Sequence, residues 1–197
     1  MSDGASRAPS LRYAWYVVGL LTATQLVSYV DRFLPSLLIK SIKQDLAITD
    51  FQVGLLMGPA FGLFYVFVAV PLGWLADRAN RRGILAGGIA LWCAMTTGGA
   101  FVRSFAPLFG LRLGVGLGEA AVGPCAVSLI SDYFPRDKRA RAMSIFMAGT
   151  FLGAGVAFLF GGPLVAWIAT LPPFELPGTG PLRPWQMAFL LVGLPGF

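Results

Sequence analysis

GWLADRANRRG, Gly73 to Gly83, sets Asp77, Arg78, Arg81 and Arg82 between two apolar runs, Phe51 to Leu75 before it and Ile84 to Val102 after it. A membrane-spanning helix needs about 20 apolar residues, so the stretch reads as a polar turn joining two spans. Four further runs lie outward from it: Trp15 to Ile39, Pro107 to Ile130, Arg141 to Ile168, and a sixth from Trp185 that is cut off at Phe197. Short polar or Pro/Gly-rich breaks separate them. The chain of 197 residues is 56% hydrophobic and 12% charged, about half the usual charged share of a soluble domain, and its mean hydropathy is +0.73. The expected fold is an all-α integral membrane bundle of six helices, residues 14–197, preceded by a short tail, residues 1–13.

The charge pattern narrows the function. Net charge is +6, but the bases sit in short clusters between apolar runs. That is unlike the continuous basic face of a nucleic-acid binder, and anionic lipid head groups are the expected partners. There is no histidine, and Cys93 and Cys125 both fall inside apolar runs, so no metal, disulfide framework or cofactor is expected. Lys and Arg collect on cytoplasmic loops. Arg7, Arg12, Arg78, Arg81, Arg82, Arg136, Lys138, Arg139 and Arg141 fall on one side, against Lys40, Lys43, Arg103 and Arg183 on the other. This imbalance puts the N-terminus in the cytoplasm. The tail carries no cleavable signal pattern, and LPPFELPGTGPLRP, Leu171 to Pro184, becomes an external loop.

Four charges remain inside spans: Asp31 and Arg32 in the first helix, Arg112 and Glu119 in the fourth. Each costs about 2.5–3.5 kcal/mol at the centre of a span. Such residues need partners, water or a function. At 1.5 Å per residue Glu119 lies about 18 Å from the outer end of its helix, in the middle of a core about 30 Å thick. Asp31 lies about 24 Å from the inner end of the first helix, and Pro35 gives that helix a place to bend. Arg32 and Arg112 are nearer the outer interface, where long side chains can snorkel. Seven residues, close to two turns, separate Arg112 from Glu119, so both project from one face.

The loop skeleton Gly73, Asp77, Arg78, Arg81 and Arg82 resembles the major facilitator signature G-x-x-x-D-R-x-G-R-R, with Asn80 in place of its glycine. Asn also enters a left-handed turn at low cost. RLGVGLGEAAVGP, Arg112 to Pro124, resembles the R-x-x-x-G pattern of the fourth helix, and GTFLGAGVAFLFGGP, Gly149 to Pro163, the Gly-rich pattern of the fifth. DRFLPSLLI, GVGLGEAAVGPCAVSLISDYFP and RARAMSIFMAG together look like the Spinster branch.

The resemblance implies the N-terminal half of a twelve-helix fold, built from two inverted three-helix repeats, with a C-terminal six-helix half as its partner. It also implies a proton-coupled secondary active transporter working by alternating access in a bacterial inner membrane, exporting or flipping a lysolipid or sphingolipid-like amphiphile. Helices one and four line the central cavity of such a fold. Asp31 and Glu119 then become the proton-coupling pair, since burial disfavours a carboxylate's charge and a nearby Arg favours it. Arg32 and Arg112 pair with them or receive an anionic head group. Phe33, Phe61, Phe64, Met147 and Phe151 are apolar cavity candidates, and Gly73, Asp77, Arg78, Arg81 and Arg82 form the gating loop. Other cargo, such as an organic anion, a sugar acid or a drug, fits the same fold. A membrane-embedded enzyme is disfavoured by the missing His and by the lack of a D-x-x-D pattern within a span. A non-transporting scaffold is the third alternative.

Overall fold

The structure, a computed structural model, describes residues 10–171, 175–176 and 180–194. The side chains of residues 59–61, 63–64, 77 and 175–176 lie outside the description, and with them the expectations placed on Phe61, Phe64 and Asp77. The elements are α1 (Leu11–Leu46), α2 (Asp50–Met57), α3 (Pro59–Arg78), α4 (Arg81–Gly98), α5 (Phe105–Glu119), α6 (Val122–Tyr133), α7 (Arg136–Thr170) and α8 (Pro184–Gly193). A 3-10 turn, Gly99–Phe101, follows α4, and Glu175–Leu176 pairs antiparallel with Gly180–Pro181. Among the described residues, three stretches are long and apolar enough to cross a membrane: Arg81–Phe101, Phe105–Tyr133 and Arg136–Thr170. At 36 residues α1 is also long enough, but it carries Asp31, Arg32, Lys40 and Lys43.

Two of the expected continuous runs are broken, and each break has a proline behind it. Pro59 and Pro124 have no N–H to donate to the carbonyl four residues earlier. The second run accordingly divides at Gly58, and the fourth turns at Ala120 and Ala121, directly after Glu119. Pro35, by contrast, sits inside an unbroken α1. Asn80 corrects another expectation. It lies at φ −69°, ψ 99°, outside the left-handed region, and its side-chain oxygen accepts from the backbone N–H groups of Arg82 and Gly83. It is the N-cap of α4, a role for which Asn ranks with the best residues.

Small residues set the closest packing. Gly149, Gly153, Ala157 and Gly161 recur every fourth position along α7, all buried, and form the stripe that lets helix backbones approach in a membrane. A Cβ at Gly153 would stand 2.5 Å from the Leu26 carbonyl oxygen of α1, and one at Gly149 would stand 2.7 Å from that of Thr22. Between α4 and α5 the same device uses Gly88 and Gly118, where a Cβ on Gly118 would meet the Gly88 carbonyl at 2.5 Å. Apolar clusters close both ends of the bundle. Ala14, Val18, Ile130, Phe134 and Phe146 pack at the end holding the 78–82 loop, and Leu38, Ile42, Leu108, Trp185 and Phe189 at the other. A smaller one, Trp92, Cys93 and Val115, lies between them.

Candidate functional site

The four intramembrane charges meet in that middle layer, and they pair across helices rather than along them. Arg32 of α1 donates from Nη2 (2.6 Å) and Nε (3.3 Å) to Oε2 of Glu119 on α5. Arg112 of α5 places Nη1 3.7 Å from Oδ1 of Asp31 on α1, an ion-pair separation beyond hydrogen-bond range. Asp31 is 0%, Glu119 2% and Arg112 6% exposed. Arg112 is therefore an interior residue and does not reach for the surface. Charges this deep persist in an apolar bundle because each has an opposite charge beside it.

Arg32 differs from the other three. Its side chain is 27% exposed, its guanidinium lies over the rings of Tyr29 (4.7 Å) and Tyr65 (5.4 Å), and it lines a cavity of about 610 Å³. Phe33, Ser36, Met57, Tyr65 and Phe158 share that lining. The volume falls within the range of about 300–1,000 Å³ usual for small-molecule sites. Of the described apolar candidates, Phe33 is in the lining. Met147 (42% exposed) and Phe151 (78% exposed) lie on an exposed face of α7 outside this lining, and Phe158 of the same helix lines the cavity, its ring 5.0 Å from that of Phe33.

Sequence reasoning missed Trp92 and Thr96. The Trp92 indole Nε1 donates to Asp31 Oδ2 at 2.8 Å, and the Thr96 hydroxyl to the same oxygen at 2.6 Å. A signal was available. The two residues are four apart, hence on one face of α4, and Trp92 sits deep in a span, whereas membrane tryptophans favour the interfaces. Tyr29 and Tyr65, the faces on which Arg32 rests, were also passed over.

The loop arginines are engaged with α6 and α3. Arg81 forms an ion pair with Asp132 and donates from Nε to the Ala76 carbonyl at 3.2 Å. Arg82 donates to the Tyr133 hydroxyl at 2.6 Å, and Arg78 stacks on Trp74 with its guanidinium 3.9 Å from the ring centre. Arg81 and Asp132 are both solvent-accessible, so Asp132→Asn is expected to cost no more than about 1 kcal/mol. Thermal unfolding of the purified protein checks this, and a larger loss would make the pair a structural keystone.

An all-helical bundle with apolar helices of membrane-spanning length and two buried ion pairs between helices, one of them reaching an open cavity through Arg32, defines the class of protein: a helical bundle of an integral membrane transporter family, a family not of enzymes. The chain belongs to the Major Facilitator Superfamily, whose family model matches residues 21–197. It is 31% identical to an MFS-type efflux pump of Mycolicibacterium smegmatis over 93% of this chain and 43% of that one. It is 35% identical to human protein spinster homolog 1 over 74% of this chain and 28% of that one. A crystal structure of a bacterial homolog of the human lysosomal transporter Spinster, inward-facing and occupied, superposes with a TM-score of 0.85 at 32% identity, covering 95% of this chain and 43% of that one. The chain thus spans less than half the length of these relatives.

Proposed function

We propose that this chain is the N-terminal six-helix half of a proton-coupled secondary transporter that works by alternating access and exports or flips a lysolipid or sphingolipid-like amphiphile. The single observation that carries this reading is Arg32, which holds Glu119 with one edge and faces the 610 Å³ cavity with the rest. An anionic head group entering the cavity competes with Glu119 for that guanidinium. Glu119, released in a site of low polarity, takes up a proton, and the return of Arg32 expels it. Its Oε1 accepts no hydrogen bond from the described residues and offers a place for that proton. Phe33, Met57 and Phe158 suit an acyl tail. Asp31 and Arg112 keep their own pairing, so that head group and proton load together and leave together without a bare buried charge. The surplus of bases at the 78–82 end supports an N-terminus in the cytoplasm, and the inverted repeats and the C-terminal half follow from the same family reading.

Drug efflux is the second reading, supported by the likeness to the mycobacterial efflux pump. The deciding experiment uses the full-length transporter in proteoliposomes under an imposed proton gradient, with a panel of lysophospholipids, sugar acids and cationic drugs. Gradient-dependent movement of lysophospholipids alone supports the amphiphile reading. Movement of cationic drugs alone replaces it with efflux, and no gradient dependence for any cargo removes proton coupling. The loop is proposed as the gate: Asp77→Ala is expected to shift the balance of inward- and outward-facing forms, read by distances between spin labels on the two halves, and an unchanged distribution would leave it a topology signal.

A further inference from the structure

We infer that the cavity takes an amphiphile head first, with an anionic head group on Arg32 and the tail directed away from the 78–82 loop, and that Gly58 and Gly62 are specificity-determining residues that leave room for that tail. This deepens the proposed function and rests on its amphiphile reading.

The orientation follows from how the lining is distributed along the helices. Helix α1 starts at the end of the bundle that holds the loop, and α3 finishes there. On α1 the lining begins at Arg32 and continues through Phe33 to Ser36, away from the loop. On α3 and α2 it begins at Val66 and Tyr65 and continues through Gly62 and Gly58 to Met57, again away from the loop. At 1.5 Å per residue these walls extend about 6 Å past Arg32 and about 12 Å past Tyr65. The guanidinium is therefore at one end of the cavity. Toward the other end the lining is apolar except for Ser36, whose hydroxyl donates to the Phe33 carbonyl at 2.6 Å. A phosphate matches the guanidinium, and a hydrocarbon tail matches Phe33, Met57 and Phe158. Only one of the two orientations meets both conditions. With the loop on the cytoplasmic side, as proposed above, this is also how a single-chain lipid stands in the inner leaflet. It enters without turning over, and inversion falls on its release.

The glycines of the bundle divide by what a Cβ would meet. At Gly88, Gly118, Gly149 and Gly153 it would stand 2.5–2.8 Å from a backbone oxygen of a neighbouring helix, so packing requires glycine there. At Gly62 no described atom lies within 4 Å, and at Gly58 the nearest is the Gly54 carbonyl oxygen at 3.9 Å. Neither has a positive φ. Packing and turn geometry therefore leave both positions free to carry a side chain, and alanine is the better residue inside a helix such as α3. Gly19, Gly87 and Gly155 are equally open but do not line the cavity. Gly58 and Gly62 do, on the tail side of Arg32. What glycine keeps at these two positions is cavity volume.

Full-length transporter in nanodiscs is incubated with a lysophosphatidic acid that carries a diazirine at the end of its acyl chain, irradiated, and analysed by peptide mass spectrometry. Labelling that unlabelled lysophosphatidic acid competes away is expected at Ser36, Met57 and Phe158. Competable labelling at Gln25 and Tyr29 instead, on the loop side of Arg32, overturns the orientation and leaves the amphiphile reading standing. No competable labelling anywhere removes both. The glycines are tested by affinity, read as displacement of the photoprobe. Gly62→Leu is expected to weaken long-chain lysophosphatidic acid about tenfold, the scale of two buried methylene groups, and to leave glycerol 3-phosphate, which has no tail, within about twofold. Gly155→Leu is expected to change neither. Equal loss for both ligands overturns the role of Gly62, since that is the result of a helix that must approach closely there, and so does no loss for either. If Gly62→Leu does not fold, Gly62→Ala decides by the same comparison with a loss of about fourfold, the scale of one methylene group. Failure of proton coupling would appear in the liposome panel and would leave these measurements intact.

Discussion

Glu119→Gln in the full-length transporter is expected to abolish proton-driven transport, with a fall of about 100-fold or more in the gradient-dependent rate, the scale of losing an essential proton-transfer group. The protein should remain folded and inserted. Gln keeps the shape and an acceptor for Arg32, and Arg32 is the one charge of the four with partial exposure and two tyrosine faces beneath it. Losing its partner therefore strands it less than the deeply buried Arg112 would be stranded. The variant separates coupling from binding. Exchange of labelled for unlabelled cargo with no gradient needs no net proton movement, so it should persist, and its rate should lose its dependence on pH. Measured flux with and without a gradient checks both halves of the expectation. Full gradient-driven transport by Glu119→Gln would remove Glu119 from the coupling role. Loss of exchange as well as coupling would make it a binding residue only.

The sequence made the three long apolar spans, Arg81–Phe101, Phe105–Tyr133 and Arg136–Thr170, legible because hydropathy over about 20 residues is set by composition and not by contacts. It also made the four charges legible, because their cost inside a membrane demands an account wherever they point. The partners were not legible. Asp31 and Arg32, one residue apart, point away from each other, and Arg112 and Glu119 lie about 10 Å apart along α5, so neither helix pairs its own charges readily and the spacing does not say which helices meet. The crossed arrangement depends on how α1, α4 and α5 are rotated about their axes, which tertiary packing decides. The faces of α7 show the same limit: the stripe of Gly149, Gly153, Ala157 and Gly161 takes the side packed against α1, and Phe151, two residues from Gly153, is exposed on the other. Asn80 stands where the signature has glycine, and its value lies in the acceptor it carries and not in a left-handed backbone. Trp92 and Thr96 stayed hidden because one Trp and one Thr in a span are ordinary until a buried carboxylate is known to face them.

Gly153→Ala is expected to damage both the stability of the bundle and the geometry of the site, while Gly155→Ala does neither. The two substitutions add the same methyl group to the same helix two residues apart. At Gly153 the new Cβ would stand 2.5 Å from the Leu26 carbonyl oxygen, 2.8 Å from the Tyr29 Cβ and 3.1 Å from the Leu26 Cα. The closest neighbour is backbone, which cannot rotate out of the way, so α1 and α7 must move apart. At Gly155 nothing lies within 4 Å. Overpacking of this kind costs about 1–3 kcal/mol, whereas replacing a helical glycine by alanine in open space gains up to about 1 kcal/mol from propensity. The signs therefore oppose, and the difference between the two variants in thermal unfolding measures the contact itself, free of the general effect of glycine removal. The functional consequence runs through Tyr29, whose ring carries the Arg32 guanidinium 4.7 Å above it. A shift of α1 at Leu26 and Tyr29 displaces Arg32 from Glu119, so Gly153→Ala should also lower transport by about tenfold or more, since small misplacements at a site of this kind are costly. Equal unfolding temperatures for the two variants would show that α1 and α7 absorb the methyl group without separating, and the stripe would then be small for reasons other than close approach.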